Sequence, residues 1–146
     1  LTNSKIKRYL NLAEVIASWS KDSTKIGAVA VGDMGQILSQ GYNGMPRNFH
    51  DNYSIQREEK LLYSVHAEQN CIYNACLNGV SLHGSSLFVY GLPPCAECSK
   101  GIIQVGIKEV HYLVPEHLAH REGDWKKSTK YGNLMMVSCG ISVKEH

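Results

Sequence analysis

The sequence predicts an α/β fold, a three-layer α/β/α sandwich in which a mixed five-stranded sheet lies between helices. Apolar residues recur at helical spacing in the first segment, and short apolar runs bounded by glycine and polar residues follow as strands. Strands then alternate with helices through the second half, which favours parallel pairing and right-handed crossovers. Without an internal repeat or linker, residues 1–146 are expected to form a single domain.

The first half of the chain predicts one helix and a strand hairpin. Ser4 is a suitable N-cap for a helix that runs to about Trp19. Strands over 26–31 and 37–42 flank a turn rich in glycine, so they are expected to pair antiparallel. The polar segment from Asn43 to about Glu59 predicts a loop that borders the functional site.

The second half predicts alternating helices and strands. Helices are expected over 65–76, from the Pro93–Pro94 pair to near Gly106, and from Trp125 to Gly140. Strands are expected over 87–90, 110–114 and 141–143, and residues 115–124 form a polar loop.

Composition excludes several classes of protein. Hydrophobic residues make up 43% and charged residues 19%, which is typical of a globular chain and not of a disordered one. The 15 Lys and Arg against 13 Asp and Glu give a formal charge of +2, so no polybasic surface for long nucleic acid is expected. No apolar run approaches the length of a membrane span.

Two short motifs carry the chemistry. His66 and Glu68 form an H-x-E pair, and Cys95 and Cys98 form a C-x-x-C pair directly after Pro94. Imidazole nitrogen and thiolate sulfur are preferred zinc ligands, and a catalytic zinc keeps three of them and leaves its fourth position for water. His66, Cys95 and Cys98 supply three ligands, and Glu68 remains free to move protons. The motifs therefore predict one catalytic zinc in a hydrolytic site.

Each motif alone has another interpretation. A C-x-x-C pair is also found in redox sites and in structural zinc sites, and a lone histidine is often packed in a core. A redox pair would leave His66 and Glu68 unexplained, and a structural site would need a fourth ligand. Cys71 and Cys76 are interpreted as buried apolar residues of the predicted helix, and Glu97 as a solvated charge.

The combination of H-x-E and P-C-x-x-C is typical of zinc nucleobase deaminases. The chain resembles the cytidine deaminase superfamily, and within it the deoxycytidylate (dCMP) deaminases. The resemblance is carried by these two motifs together with residues 20–28, 41–46 and 102–110. The resemblance implies a cytidine-deaminase-like fold and hydrolysis of dCMP to dUMP and ammonia, with Glu68 as the proton carrier. Acceptance of dCTP or a modified cytosine nucleotide is a variant of the same expectation.

The resemblance also implies roles for other residues. Asn43 is expected to bind the sugar hydroxyl, and Ala67 and Pro94 to contact the substrate. A phosphate needs cationic donors, and the candidates on nearby loops are Lys21, Lys25, Arg47 and Arg121. Each of these four is also interpretable as an ordinary solvated charge. The expected regulatory loop comprises Gly41, Tyr42 and Gly44, with Arg47 and Arg121 as further members.

Partners follow from the same resemblance. The family implies a homo-oligomer, typically a hexamer, with dCTP and dTTP as effectors and Mg²⁺ accompanying a nucleotide effector. Thiolate ligands need a reducing compartment, which favours the cytoplasm. Two alternatives stay open: another superfamily enzyme that acts on free cytidine, guanine or tRNA adenosine, and a non-catalytic binding module stabilised by zinc.

Overall fold

The computed structural model of the chain describes residues 1–49 and 56–146. The strands in this part are β1 (Gly27–Val31), β2 (Ile37–Tyr42), β3 (Ser86–Tyr90), β4 (Glu109–Leu113) and β5 (Ser142–Glu145). The helices are α1 (Asn3–Ala17), α2 (Arg57–Tyr63), α3 (Ala67–Leu77), α4 (Ala96–Gln104) and α5 (Asp124–Ser138), with one turn of 3₁₀ helix over Glu116–Leu118.

The five strands form one mixed sheet in the order β2-β1-β3-β4-β5. β1 pairs antiparallel with both β2 and β3. β3, β4 and β5 are parallel to one another, because α4 and α5 connect them as crossovers. The predicted mixed five-stranded sheet and α/β class are therefore confirmed.

Different helices cover the two faces of the sheet. α1 packs on one face, where Ile6 and Leu10 contact Val29 and Phe88 in a buried cluster. Helices α3, α4 and α5 cover the opposite face, and their contributions to its core include Cys71, Ile102 and Met136. Because successive strand residues point to opposite faces, β1 and β3 supply side chains to both clusters.

Several predicted element bounds and one whole element differ from the structure. Thr2, not Ser4, is the N-cap of α1, and its side chain accepts a hydrogen bond from the Lys5 amide. The predicted loop to Glu59 is wrong at its end, because α2 begins at Arg57. Acidic Glu58 and Glu59 in the first turn of α2 stabilise its N-terminus. Residues 50–55 of that predicted loop lie outside the described residues.

The interpretation of Cys71 and Cys76 as core residues is confirmed for Cys71 and wrong for Cys76. Cys71 is fully buried in α3, whereas Cys76 is exposed on the same helix. Five residues along an α-helix rotate a side chain by about 140° from its starting direction, so both thiols cannot face one core.

Within the described residues, no helix has the length and apolar character needed to cross a membrane.

Candidate active site

The N-terminus of α3 presents His66 and Glu68. His66 is the N-cap of this helix, and its backbone amide donates a hydrogen bond to the side chain of Gln69 at 2.9 Å. The residue before it is fixed by a two-way bridge, in which the Val65 and Gly44 amides each donate to the other's carbonyl. The entry of the chain into α3 is therefore held at two successive residues.

The N-terminus of α4 presents the two cysteines. Cys95 is the N-cap, and its Sγ accepts a hydrogen bond from the Cys98 amide at 3.5 Å. Ser99 Oγ donates to the Cys95 carbonyl at 2.8 Å. The Ala96 amide donates to Ser128 Oγ of α5 at 2.9 Å, so α5 also supports this turn. Two helix N-termini thus meet at one place, as the sequence predicts.

The three predicted ligands form one compact group. His66 Nδ1 lies 3.5 Å from Cys95 Sγ and 3.3 Å from Cys98 Sγ, and the three donor atoms all lie within 4.8 Å of one another. One imidazole nitrogen and two sulfurs at this separation fit a tetrahedral zinc, whose bonds to nitrogen and sulfur are about 2.0–2.3 Å long. Within the described residues, this is the one group of three or more such side chains with that geometry.

The acid–base properties of these groups are strongly perturbed. The hydrogen bond from Cys98 lowers the pKa of the Cys95 thiol to about 4, and the same hydrogen bond raises the pKa of Cys98, which keeps the proton. A hydrogen bond to Cys95 raises the pKa of His66 despite partial burial. A divalent cation would stabilise both sulfurs as thiolates and offset their mutual repulsion, so the donor set suits a metal.

Glu68 is the buried carboxyl of the site. Its exposed fraction is 4%, and burial raises the pKa of its carboxyl. Glu97, which lies between the two cysteines in sequence, is instead 72% exposed and pairs with Lys100. The two acidic residues of the motifs are therefore distinct in environment, and Glu68 is the one that faces the predicted metal ligands.

A pocket of about 240 Å³ opens beside this group. Six segments line it: the loop after α1, the residues that follow β2, α2 with the residue after it, the start of α3, the turn before α4, and the residues around the start of α5. The lining residues are Asp22, Ser23, Thr24, Ile26, Asn43, Met45, Lys60, Leu61, Ser64, His66, Ala67, Glu68, Leu92, Pro93, Cys95, Arg121 and Trp125.

The sequence pattern of the cytidine and deoxycytidylate deaminase zinc-binding region matches residues 3–114. The chain belongs to this deaminase family. A probable deoxycytidylate deaminase of Drosophila melanogaster is 38% identical to it over 143 residues, which cover 89% of this chain and 66% of the relative. The deoxycytidylate deaminase of Mus musculus is 39% identical over 145 residues, covering 94% of this chain and 76% of the relative.

Solved structures of the deaminase family have the same architecture. The dCMP deaminase of the cyanophage S-TIM5, crystallised with dCMP and dUMP, superimposes with a TM-score of 0.81 at 29% identity. The match covers 100% of this chain and 99% of the phage enzyme. The family resemblance found in the sequence is therefore confirmed by sequence and by fold.

The structure separates the predicted substrate-binding residues of this deaminase into two groups. Asn43, Ala67 and Arg121 line the pocket together with Glu68. Pro94 is buried behind Cys95 and lines a neighbouring groove, whereas Pro93 lines both cavities.

The other predicted phosphate donors point elsewhere. Lys25 Nζ donates to the Ser20 carbonyl, and Arg47 donates to Asn74 Oδ1 of α3. Lys21 is exposed and does not line the pocket.

The predicted regulatory loop lies beside α3. The Tyr42 carbonyl accepts a hydrogen bond from Asn70 Nδ2 at 2.7 Å, and Gly44 forms two backbone hydrogen bonds with Val65. Gly41 packs against the helix itself, because a Cβ there would lie 2.6 Å from the Ala67 carbonyl oxygen. Of the 41–46 segment, Asn43 and Met45 line the pocket.

The pocket also contains polar and aromatic residues that the sequence did not mark as site residues, among them Asp22, Lys60 and Trp125, and Ser128 lies behind it. Asp22 lies within the 20–28 segment that carries the family resemblance, which was a usable signal. Lys60 and Trp125 reach the pocket only because α2 and α5 pack beside it, and nothing local in the sequence marks that position.

Proposed function

We propose that the chain catalyses hydrolysis of the exocyclic C–N bond of dCMP, giving dUMP and ammonia. The observation that carries the proposal is a buried carboxyl, Glu68, beside three metal-ligating atoms in a pocket that also contains an arginine. Membership of the deaminase family and similarity to a phage dCMP deaminase bound to dCMP and dUMP support this substrate.

His66, Cys95 and Cys98 are the residues that would hold one Zn²⁺ in this site. When bound, zinc makes water nucleophilic near neutral pH and stabilises developing negative charge. The three side chains leave one coordination position open, and the fourth polar group nearby, Glu68, stays free for proton transfer. A structural zinc would have no use for either feature, which argues against a binding module.

Glu68 carries the protons of the reaction. Attack at C4 of cytosine breaks ring conjugation, so the ring nitrogen N3 must be protonated as the C–O bond forms. Glu68 takes one proton from the attacking water and delivers it to N3. It then moves the remaining proton of the added hydroxyl to the departing amine, so that the C4–N bond breaks, ammonia leaves and the C4 carbonyl forms. The raised pKa of the buried carboxyl favours a group that both accepts and returns a proton.

Arg121 is the best placed group for the phosphate. Its Nη1 donates to Thr24 Oγ1 at 3.1 Å, and its guanidinium carbon lies 5.9 Å from the centre of the Trp125 ring. These contacts fix the side chain while leaving further N–H donors for a ligand. Lys60 is the other basic side chain among the described lining residues and supplies a second charge.

A substrate panel tests the proposal. Zinc-loaded protein is assayed for ammonia release with dCMP, dCTP, cytidine, deoxycytidine and guanine. We expect dCMP to exceed deoxycytidine by about a hundredfold in kcat/KM, because one or two charge-assisted contacts to phosphate are each worth ~1.5–3 kcal/mol. Equal rates on deoxycytidine would place the chain among nucleoside deaminases, and no deamination of any substrate would leave the binding-module alternative.

Zinc content is measured in parallel. We expect one zinc per chain, and we expect it to be lost in the variant that carries both Cys95→Ala and Cys98→Ala. The exposed cysteines offer the matched control, because Cys76→Ala together with Cys139→Ala should keep the metal. Zinc retained after loss of Cys95 and Cys98 would contradict the ligand assignment.

We also propose a homo-oligomer, a hexamer by family resemblance. Large apolar side chains exposed on α2 and α3 support this, because exposed apolar surface is often covered in assemblies. They are Leu62, Tyr73 and Leu77. Light scattering on purified protein measures the state directly.

Regulation by dCTP and dTTP, with Mg²⁺ on the effector, is assigned to the segment from Gly41 at the end of β2 to Arg47. Tyr42 and Arg47 are exposed and do not line the pocket, which supports the assignment. Activity at low dCMP with and without dCTP and Mg²⁺ tests it. A reducing compartment, the cytoplasm, suits the thiolate ligands.

A further inference from the structure

The peptide unit that joins Cys95 to Ala96 is hydrogen-bonded at both ends. Its carbonyl oxygen accepts the Ser99 amide at 2.9 Å and Ser99 Oγ at 2.8 Å. Its amide donates to Ser128 Oγ at 2.9 Å. Ser99 belongs to α4 itself, whereas Ser128 lies on α5, 32 residues after Ala96 in the chain. Two different helices therefore fix the orientation of this peptide plane.

This plane determines where the Cys95 side chain points. Cys95 is the N-cap of α4, with φ −73° and ψ 174°, so its own dihedral angles are not helical. A rotation about its Cα–C bond would swing the Cys95 sulfur away from His66 Nδ1, which lies 3.5 Å from it. Cys98 is inside α4, where regular helical geometry fixes the backbone. Of the two thiol ligands, Cys95 is therefore the one that depends on contacts from outside its helix.

The outside contact comes from one face of α5. The Ala96 amide is among the first amides of α4, which have no acceptor within the helix, and Ser128 supplies one. Gly132 lies one turn further along α5 and touches the same peptide unit. A Cβ on Gly132 would be 3.0 Å from the Cys95 carbonyl oxygen and 2.5 Å from Ser99 Oγ. Residues four apart share a helix face, so α5 is packed directly on the turn that carries the ligand.

We propose that Ser128 is a positioning residue for Cys95, and that its hydroxyl sets how tightly the site retains Zn²⁺. The inference deepens the proposed function and rests on it through the assignment of Cys95 as a metal ligand. Ser128 does not line the substrate pocket, and it acts on Cys95 through the Ala96 amide. Hydrogen-bonding partners that orient metal ligands typically change metal affinity by roughly 10–100-fold when they are mutated.

A purely structural role for Ser128 predicts a different result. If its hydrogen bond only docked α5 on α4, losing it would lower the stability of the metal-free protein, and zinc affinity would fall only as a consequence. A positioning role predicts weaker zinc binding at nearly constant stability. The helix stays docked in that case, because Gly132 and Met136 of α5 are buried against the rest of the protein.

Ser128→Ala tests the proposal, because it removes the acceptor of the Ala96 amide with little change in volume. We expect zinc affinity to fall by about tenfold or more, measured by competition with a chelator of known affinity. Ser128→Thr keeps a hydroxyl and should bind zinc within about threefold of the parent. Ser138→Ala is the matched control, since it makes the same substitution at an exposed position of α5 and should leave zinc affinity unchanged.

Cobalt reports on the same ligand by spectroscopy. When Co²⁺ replaces Zn²⁺, each bound thiolate contributes to a sulfur-to-cobalt charge-transfer band. With the site saturated, we expect this band to be weaker in Ser128→Ala than in the parent, because the Cys95 sulfur is held less well. Lower stability of the fold alone would not change the spectrum of the saturated site.

Ser99→Ala provides a second variant that acts on the other end of the same peptide unit. It removes the side-chain hydrogen bond to the Cys95 carbonyl and leaves the backbone one. Because Ser99 and Ser128 orient one peptide plane, their effects on zinc affinity should not be additive in the double variant. Strict additivity would indicate that the two hydroxyls act independently and would contradict the proposal.

Two further results would overturn the positioning role. One is a zinc affinity of Ser128→Ala within about threefold of the parent, too small a change for a residue that orients a ligand. The other is a loss of affinity that Ser128→Thr does not restore and that follows the melting temperature of the metal-free protein.

Zinc binding separates this inference from the function on which it rests. A zinc-loaded parent that releases no ammonia from dCMP would reject deamination and keep the role of Ser128. Deamination by a protein in which Ser128→Ala binds zinc as tightly as the parent would keep the function and reject Ser128. A parent that binds no zinc would overturn both.

Discussion

Gly41 of β2 lies directly against the first turn of α3 at Ala67, where a Cβ on Gly41 would be 2.6 Å from the Ala67 carbonyl oxygen and 2.3 Å from the Cys71 amide nitrogen. Ala67 is flanked by the predicted zinc ligand His66 and by Glu68, so this contact sets the height of both side chains above the sheet. Because glycine has no Cβ, α3 can pack this close to β2 at position 41.

Gly41→Ala should therefore push the start of α3 away from the sheet. We expect a loss of stability of about 1–3 kcal/mol, typical of forcing an extra methyl into a packed contact, together with weaker zinc retention. Thermal melting and metal analysis measure the two effects. Gly44→Ala is the control, since a Cβ at Gly44 would meet nothing within 4 Å. Equal melting temperatures for the two variants would contradict the packing argument.

The parts of this deaminase that the sequence predicted are those in which local spacing dictates geometry. A C-x-x-C turn after Pro94 brings both sulfurs to one helix end, and alternation of strands and helices predicts the parallel half of the sheet. The helix Arg57–Tyr63 was missed because its polar, acidic start is equally typical of a loop. Its Glu58 and Glu59 were the available signal.

The lining of the pocket was less predictable than its chemistry. The local sequence does not distinguish the four candidate phosphate donors, since each is a basic residue near a loop. They are Lys21, Lys25, Arg47 and Arg121. Only the packing of α5 beside the loop after α1 makes Arg121 the one that faces the cavity. Contacts between segments nearly a hundred residues apart decide this, and no local pattern contains them.

Glu68→Gln should retain fold and zinc but lose most turnover. The amide preserves the shape of the side chain while removing the proton carrier, and positioned acid–base catalysis is worth roughly two to four powers of ten in rate. The measurement is ammonia release at saturating dCMP. Glu97→Gln changes the exposed carboxyl of the same motif region and should be silent. Activity of Glu68→Gln within about tenfold of the parent would remove Glu68 from the role.

Arg121→Ala should raise KM for dCMP by tenfold or more and affect deoxycytidine little. The expected loss corresponds to one charge-assisted contact to phosphate, ~1.5–3 kcal/mol. Steady-state kinetics give KM for dCMP and for deoxycytidine in both proteins. Rising salt should reduce the difference in KM between parent and variant, because partly exposed charges are screened. Lys25→Ala is a suitable control, since Lys25 does not line the pocket. A parallel loss on nucleotide and nucleoside would mean that Arg121 acts on the fold.

The five cysteines should fall into three classes of reactivity toward iodoacetamide. Cys76 and Cys139 are exposed and should react first. Burial raises the pKa of the Cys71 thiol to about 12, so this residue should stay unmodified in the folded protein. Cys95 and Cys98 should become reactive only after zinc is chelated. Peptide mass spectrometry identifies the sites, and early labelling of Cys71 would refute its assigned place in the core.

His146 should make the stability of the chain depend on pH in mildly acidic solution. Burial, together with the electrostatic influence of His111 and Lys144, lowers the pKa of His146 below its ordinary value of 6.5, and His111 Nδ1 lies 2.9 Å from His146 Nε2. A lowered folded pKa means that the unfolded chain takes up the proton first, so stability falls as pH drops below about 6.5. The parent should therefore lose more of its melting temperature between pH 8 and pH 5.5 than His146→Gln does. The same pH dependence of the melting temperature in both proteins would show that the folded structure does not lower the pKa of His146.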